Sequence, residues 1–466
     1  MSIESPSRSR VVVITGDPVG EKMAGPAIRA WHIASELSHE HDVRLLSMNR
    51  VSIQHPDFDI REVSYHRPSS IDEHETWADV IILQGHALAL FPALERTDKV
   101  LVVDIYDPLH LEQLEQGREL ETQQWVDQVR DATASLNHQL QLGDYFLCAS
   151  DLQRSFWLGQ LAGVGRVNPY TYQQDNDLER LIGIAPFGIS AVEPERTRHA
   201  IKGVVPGIGE DDTVIIWAGG IYNWFDPETL IRAVGLLATT RPDLRLFFLG
   251  VKHPNPDVPE MDIVARSRRL SDELGLTGRH VFFNETWVDF DDRQNYLLDA
   301  DLGVSTHFQH IETTFSFRTR ILDYLWAGLP IVTTDGDSFA SLVAANGLGR
   351  VVQERDDAGL ASALEDVLYD DGLRAGMIAE VARVREDFRW SRTLQPLVEF
   401  CRAPTHAADR LAPNRHRRGA NGVVGPRVIR TGWRRDLGRT MHYFRAGGLR
   451  AVYGKVAQRV RKRSAE

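Results

Sequence analysis

The 466-residue sequence has little cysteine and no long apolar run. Its two cysteines, Cys148 and Cys401, lie far apart, which argues against a disulfide framework and favours a reducing cytoplasm. No uncharged stretch reaches the roughly 20 apolar residues of a membrane-spanning helix, and the apolar run within residues 1–16 is too short for a signal peptide. We therefore expect a cytoplasmic protein.

Acidic residues are scarce in only one part of the chain. Residues 402–466 contain 17 Lys and Arg but three Asp and Glu, a balance of +14, whereas the preceding 401 residues carry −26. Between 427 and 463 the basic residues are mixed with aromatic ones at roughly helical spacing, as suits an interfacial helix on the anionic inner face of a membrane. A disordered tail and a segment packed on the acidic body are the alternatives. Nucleic acid is not expected as a partner of so acidic a body.

Apolar, β-branched runs alternate with amphipathic helical patterns along the body. This alternation predicts an α/β protein with two Rossmann-like, doubly wound domains that face a cleft, followed by the basic C-terminal tail. The predicted boundaries are 1–190 for the first domain, 191–210 for a Pro- and Gly-rich linker, 211–385 for the second domain, 386–401 for a return helix and 402–466 for the tail. Ligands of doubly wound sheets bind beyond the carboxyl ends of the strands, so candidate residues were sought there.

In the first domain, glycines between residues 16 and 25 follow the first strand but do not form the G-x-G-x-x-G fingerprint of dinucleotide enzymes. Gly25 stands where a ligand could approach the backbone. Asp104, Tyr106 and Asp107 follow a later strand and are placed for substrate contact. The alternative for Asp107 is a helix cap, because Pro108 follows it.

The second domain opens with Gly219 and Gly220 directly after a strand, which suits the close passage of a phosphate past the backbone. Trp224 is either a platform for a substrate or a packing residue. Asp226 with Pro227 is typical of a helix N-terminus.

The stretch FSFRTRILDYLWAGLPIVTTDGD, residues 315–337, combines two arginines with one carboxylate at the start of a predicted helix. Arg318, Arg320 and the free N–H groups near Thr319 predict a site for a diphosphate, and Asp323 is placed to bind the hydroxyls of a ribose. The alternative is a surface ion pair between Arg320 and Asp323. The preceding residues, 308–317, are predicted to form a loop.

Several ordered landmarks resemble the family 4 retaining glycosyltransferases, which have the two-domain GT-B architecture. They are AGPAIRAWHIASELSHEHDVRLLS, IAPFGIS, WAGGIYNWFDPETLIRAV, ADLGVSTH, LDYLWAGLPIVTT and FRWSRTLQPLVEF. The resemblance covers about residues 10–400. It implies transfer of a sugar from a nucleoside-diphosphate sugar to an acceptor sugar with retention of anomeric configuration, without a cofactor or a metal ion. The acceptor would be lipid-linked if the tail contacts a membrane.

The resemblance also assigns residues, with departures from the family pattern. Asp323 matches the second acid of the family signature, whereas Phe315 stands at the first, so Glu312 is expected to replace the missing glutamate. Asp104, Tyr106 or Asp107 is expected to serve where the family has a histidine, with Asp104 preferred, and Arg320 is the third catalytic candidate. Gly25 and Arg29, in the first landmark, are expected to bind substrate.

Two other functions fit the same pattern. One is a nucleotide-sugar epimerase of the same fold. A phosphorylase is less suitable because it needs a pyridoxal lysine, and Lys202 and Lys252 are the only lysines between residues 100 and 451. The other is a non-catalytic nucleotide-sugar binder or scaffold protein.

Overall fold

The computed structural model describes residues 8–251 and 261–411, which lie in one compact unit, Met1–Asn421. The first domain is built on a parallel sheet in the order β3-β2-β1-β4-β5-β6-β7. Its strands are β1 (Arg10–Thr15), β2 (Asp42–Ser47), β3 (Asp59–Glu62), β4 (Val80–Leu83), β5 (Val100–Asp104), β6 (Tyr145–Cys148) and β7 (Ile182–Ile184). β4, β5 and β6 are buried along their whole length, as continuous apolar strands covered on both faces should be.

Helices cover both faces of this sheet. They are α1 (Gly25–Ser38), α2 (Asp72–Trp77), α3 (Ala87–Leu90), α4 (Pro92–Arg96), α5 (Leu109–Gln116), α6 (Thr122–Leu142), α7 (Asp151–Gly163) and α8 (Pro169–Gln174). The side chain of Ser150 accepts a hydrogen bond from the Gln153 N–H and so caps α7.

The second domain repeats the plan with a parallel sheet in the order β10-β9-β8-β11-β12-β13. Its strands are β8 (Thr213–Trp217), β9 (Leu244–Phe248), β10 (Val281–Phe283), β11 (Leu302–Ser305), β12 (Ile331–Thr334) and β13 (Gly349–Val352). Its helices are α9 (Pro227–Leu237), α10 (Asp262–Glu273), α11 (Arg293–Leu297), α12 (Ile311–Phe315), α13 (Arg320–Ala327), α14 (Ser338–Asn346), α15 (Asp357–Tyr369) and α16 (Asp371–Val384). Asp226 caps α9 as predicted, with Pro227 in its first turn.

The chain then returns to the first domain through α17 (Trp390–Thr393) and α18 (Gln395–Arg402). Phe400 of α18 stacks on Tyr145 of β6 with 4.3 Å between ring centroids. The outgoing and returning segments are hydrogen-bonded to each other where they cross: the Ile189 N–H donates to the Phe388 carbonyl at 2.7 Å, and the Trp390 N–H donates to the Ile189 carbonyl at 3.2 Å.

The structure confirms the predicted pair of parallel-sheet α/β domains and corrects two local details. The predicted loop 308–317 contains the short helix α12, whose N-terminus is capped by the His310 side chain. The edge strand β3 was not predicted, because only Ile60 of its four residues is buried. In the described part of the chain, no helix has the length and apolar character needed to cross a membrane.

Candidate functional site

A small pocket of about 80 Å³ lies beyond the carboxyl ends of the second-domain strands. Gly219, just after β8, and Asp323, in the first turn of α13, both line it, together with Trp287, Phe290 and Arg293. Gly219 has a φ of +84°, a backbone conformation that glycine adopts without steric cost. The structure thus brings together two of the residues predicted to bind a nucleotide.

Asp323 is paired with a residue that sequence reasoning missed. Its Oδ1 lies 3.5 Å from Nε of Arg293, and Arg293 also lies 4.0 Å above the Phe290 ring. Burial raises the pKa of Asp323, and the charge of Arg293 partly opposes that rise. The alternative of a surface pair between Arg320 and Asp323 is therefore wrong. Arg293 is the first residue of α11, which follows β10. It therefore lies beyond the carboxyl end of a strand, where ligands bind, and its positive charge at that position could have indicated a binding residue.

Arg320 is buried beneath the turn that follows β8 instead of projecting into the cleft. Its Nη2 donates a hydrogen bond to the Gly220 carbonyl at 2.8 Å, and its guanidinium lies 4.2 Å from the Trp217 ring centre and 3.9 Å from that of Phe225. Burial lowers the pKa of Arg320 to about 10. Packing and a backbone carbonyl hold the side chain in place in this structure, and the contact of Arg320 with a phosphate stays a prediction.

Arg318 and Glu312 bind each other. Two guanidinium nitrogens of Arg318 donate to the two Glu312 oxygens at 3.1 and 2.8 Å, and one also donates to Thr313 Oγ1 at 3.1 Å. Both residues are buried. The prediction assigned Arg318 to a phosphate and Glu312 to a sugar hydroxyl. The structure instead makes them a bidentate pair that joins α12 to the segment before α13.

Two further second-domain predictions concern Trp224 and Thr319. Trp224 is buried and stacks on Tyr222 at 4.9 Å, so the packing alternative is confirmed and the substrate platform is corrected. Thr319 immediately precedes α13 and makes no side-chain capping bond. Its contact with a diphosphate stays a prediction.

In the first domain, Asp104 and Arg29 form a fully buried ion pair. Nε and Nη2 of Arg29 donate to the carboxylate at 2.7 and 2.8 Å, and both side chains are 0% exposed. Gln84 donates to the same carboxylate at 2.9 Å. The prediction of Asp104 as catalytic and Arg29 as substrate-binding is corrected: this pair fastens β5 to α1. Gly25 is the first residue of α1. A Cβ atom added there would lie 3.9 Å from Phe187, so the surrounding space does not require a glycine.

A larger cavity of about 510 Å³ lies at the carboxyl edge of the first sheet. Tyr106 and Asp107 line it, and their contact with a substrate stays a prediction. Asp107 is not a helix cap, because Pro108 is the residue that precedes α5 and no side chain caps that helix. Burial raises the pKa of Asp107 to about 6, and a hydrogen bond with Glu112 opposes that rise. Further lining residues were missed by sequence reasoning: Asn49, Tyr65, His66, Gln84, His86 and Gln139.

The two domains touch beside these pockets. Nε2 of Gln153, on α7, donates to the carbonyls of Tyr106 and Phe315 at 2.7 Å each, and Phe156 packs on Phe315 with 4.7 Å between ring centroids. Within the described residues no cluster of three His, Cys, Asp or Glu side chains has the geometry to hold a metal ion.

Part of the second domain is similar to a known protein family. Residues 212–370 match the model of the family described as Glycosyl transferases group 1. The matched residues lie within the second domain. This match confirms the resemblance inferred from the sequence landmarks.

Two curated relatives match parts of this chain. The phosphatidyl-myo-inositol mannosyltransferase of Mycolicibacterium smegmatis is 30% identical over 138 residues, 28% of this chain and 34% of the relative. The D-inositol 3-phosphate glycosyltransferase of Paenarthrobacter aurescens is 26% identical over 232 residues, 48% of this chain and 52% of the relative. The chain therefore spans about half the length, or less, of these curated relatives.

Solved structures extend the likeness in fold to both domains. Sucrose-phosphate synthase from Thermosynechococcus elongatus superposes with a TM-score of 0.62 at 13% identity, covering 85% of this chain and 98% of that one. Anabaena Alr3699/HepE in complex with UDP and glucose gives 0.62 at 13% identity, covering 85% and 100%. At such identity the likeness establishes the fold, which is the predicted GT-B architecture.

Proposed function

We propose that the protein is a glycosyltransferase that moves a sugar from a nucleoside-diphosphate sugar to a hydroxylated acceptor, with retention of anomeric configuration and without a metal ion or cofactor. The nucleotide binds at the second domain and the acceptor enters the cavity of the first. The observation that carries the proposal is that Gly219, Asp323 and Arg293 line one pocket and all three lie in the segment that matches the family model.

The chemistry follows from the groups that line this pocket. The Asp323 carboxylate accepts hydrogen bonds from a pair of ribose hydroxyls, and Trp287 and Phe290 offer apolar surface for a base. Arg293 supplies positive charge beside them. Departure of the diphosphate needs its growing charge stabilised, for which the α13 N-terminus near Thr319 provides N–H groups. Arg320 supports this step by fixing the Gly220 turn.

Binding requires the pocket to widen. Its 80 Å³ is well below the roughly 300 Å³ at which small-molecule sites begin. The Phe290 N–H donates to the Glu21 carbonyl of the first domain at 2.8 Å, so this contact lies where the domains must separate. We propose that a nucleotide enters when the cleft opens.

The first test is a panel of nucleoside diphosphates and their sugars, measured by protection against thermal unfolding. The ligand that protects is then compared with its 2′- and 3′-deoxy analogues. We expect Asp323→Ala to weaken binding by about 1.5–3 kcal/mol, as for a hydrogen bond to a charged group, and to abolish discrimination against the deoxy analogues.

Asp366→Ala is the matched control, because Asp366 is an exposed acid on α15. It should bind as the parent does. An Asp323→Ala protein that folds, binds equally well and still distinguishes ribose from deoxyribose would contradict the assignment. Release of the free sugar or its transfer from the protecting nucleotide sugar, followed in excess chelator with the anomeric configuration read by NMR, separates a retaining, metal-independent transferase from a binder or an epimerase.

A further inference from the structure

The side chain of Gln153 joins the two domains inside the protein. It is fully buried, and its Nε2 donates to the Tyr106 carbonyl of the first domain and to the Phe315 carbonyl at the end of α12, at 2.7 Å each. Its Oε1 accepts from the Ala149 N–H at 2.8 Å. Because a carbonyl only accepts and an N–H only donates, these partners fix the orientation of the amide. Both amide hydrogens are used, and one bond crosses from the first domain to the second.

An apolar contact lies beside this bond. Phe156, three residues after Gln153 on α7, packs on the Phe315 ring with 4.7 Å between centroids. The Phe315 carbonyl belongs to the last turn of α12, where backbone carbonyls lack partners within the helix. Gln153 therefore supplies a donor that α12 cannot supply for itself. We call the contact of Gln153 and Phe156 with Phe315 the α7–α12 contact.

Two other side-chain contacts between the domains are exposed to solvent. Lys22 Nζ lies 3.6 Å from Asp289 Oδ1, and both side chains are about half exposed. Asn223 donates to Glu119 Oε1 at 3.2 Å at the protein surface. Exposed polar pairs contribute little to stability, whereas a buried donor or acceptor is costly to leave without its partner. The α7–α12 contact should therefore oppose separation of the domains more strongly than these two pairs do.

Separation of the domains is the step that nucleotide entry needs. The pocket at Gly219 and Asp323 has about 80 Å³ in this closed form, which is too small for a nucleotide. Movement of α12 away from α7 breaks the bond between Gln153 and the Phe315 carbonyl. A contact that resists this movement lowers the fraction of the protein that is able to bind, and with it the apparent affinity.

We propose that the α7–α12 contact is a latch that holds the empty protein closed and weakens its apparent affinity for a nucleoside diphosphate. The effect on nucleotide binding rests on the proposed function. The closed arrangement is a property of the two domains and is measured without a ligand.

The first experiment measures domain separation in the full chain without a ligand. Spin labels are attached at Asp98→Cys in the first domain and Asp366→Cys in the second, both exposed positions, whereas the two native cysteines are buried. Gln153→Met keeps the length of the side chain but removes its hydrogen bonds, so the distribution of distances between the labels should broaden or shift. Gln160→Met is the matched control and should leave the distribution unchanged, because Gln160 lies on the same helix but donates to Asn137 within the first domain at 2.9 Å.

The second experiment attacks the same contact from the second domain. Phe315→Ala removes the ring that packs on Phe156 but leaves Gln153 and the Phe315 backbone carbonyl in place. It should change the distance distribution as Gln153→Met does. Both variants, once shown to unfold cooperatively, should bind the protecting nucleoside diphosphate at least about three-fold more tightly than the parent, because a larger fraction of the protein is open.

The outcomes separate the latch from the proposed function. Distance distributions equal to that of the parent in both folded variants would overturn the latch, and so would a changed distribution with unchanged or weaker nucleotide binding. If neither the parent nor the variants bind any nucleotide, the transferase proposal is refuted, and the distance measurement alone then decides whether the α7–α12 contact holds the domains closed.

Discussion

At the scale of single residues, the charged side chains that were predicted to bind substrate mostly form ion pairs with one another. Arg29 with Asp104 and Arg318 with Glu312 are buried bidentate pairs. A buried pair tolerates the loss of both partners better than the loss of one, because a lone buried charge has neither water nor a counter-charge. We therefore expect single substitutions of these residues to lower the stability of the protein more than they change ligand binding.

The Arg29–Asp104 pair gives the first stability prediction. Arg29→Leu should lower the free energy of unfolding by about 3–5 kcal/mol, because it leaves Asp104 buried without its counter-charge. Adding Asp104→Leu should recover part of that loss. Urea denaturation measures both variants. The control is Arg10→Leu, because the ion pair of Arg10 with Asp79 is 43% exposed on each side and its loss should change stability much less. An equally small loss for Arg29→Leu would restore Arg29 as a candidate ligand.

Asp107 gives a prediction about pH. Burial raises its folded-state pKa to about 6, so the folded state holds this proton more tightly than the unfolded state does. The resulting stabilisation is complete below about pH 4 and is lost as the pH rises through about 6. Asp107→Asn cannot ionise and should be more stable than the parent at pH 7.5 by about 1 kcal/mol.

That advantage should disappear at pH 4, where the parent carboxyl is protonated. Thermal unfolding across pH 4–8 measures it, with Asp98→Asn, an exposed carboxylate, as the control. An advantage that stays constant over this range would show that ionisation of Asp107 is not its cause.

At the scale of elements, α13 shows how one helix organises the second-domain site. Asp323 on one side lines the pocket, while Arg320 on another holds the turn after β8, and Gly328 ends the helix with a φ of +73°. The helix therefore positions both the Asp323 carboxylate at the pocket and the backbone turn beside it.

Arg320 gives the element-scale prediction. Arg320→Ala should lower the free energy of unfolding by about 2–4 kcal/mol, because it leaves a gap between Trp217 and Phe225 and removes the donor to the Gly220 carbonyl. The free energy of unfolding of Arg320→Lys should lie between those of the parent and of Arg320→Ala. The control is Arg383→Ala on α16, 59% exposed, with an expected change within about 0.5 kcal/mol. If Arg320→Ala keeps its stability but loses nucleotide binding, the predicted phosphate contact is restored.

Elements that depend on local pattern could be predicted, and side-chain partners could not. The main buried strands are continuous apolar runs, so their positions follow from the sequence alone. Short polar elements such as α12 and β3 carry no such signal. Arg29 and Asp104 are separated by 75 residues, and no spacing rule links a helix to a strand so far along the chain. For this reason, the sequence could indicate that Gly219 and Asp323 lie at the same edge of the sheet, whereas it could not indicate the protein groups that pair with Arg29, Arg318 and Arg320.

At the scale of the whole molecule, the basic tail is predicted to contact a membrane surface. Residues 427–463 lie outside the described residues, so membrane-surface binding stays a prediction. The segment before them is firmly attached to the first domain: Asp409 lies 2.7 Å from Arg166 and Arg410 lies 2.6 Å from Asp144.

Flotation with liposomes of graded anionic content tests the tail. The full chain should float increasingly with anionic lipid and release as salt rises, whereas a chain ending at Leu411 should not float. Truncation at Leu411 is the suitable control because an earlier end would leave Asp144 and Arg166 without their partners. Equal flotation of both chains, or flotation that ignores lipid charge, would exclude the tail as a membrane contact.

The paired crossing at Ile189 and Phe388–Trp390 has a consequence for how such a protein can be recombined. Entry to and exit from the second domain are hydrogen-bonded neighbours, so the whole second domain is a single insertion with adjoining ends. A homologous second domain exchanged between these two points would leave the first sheet, α18 and the tail attachment unaltered. Under the proposed function, donor and acceptor preferences could thus be recombined by one double crossover, without either domain acquiring a new chain end.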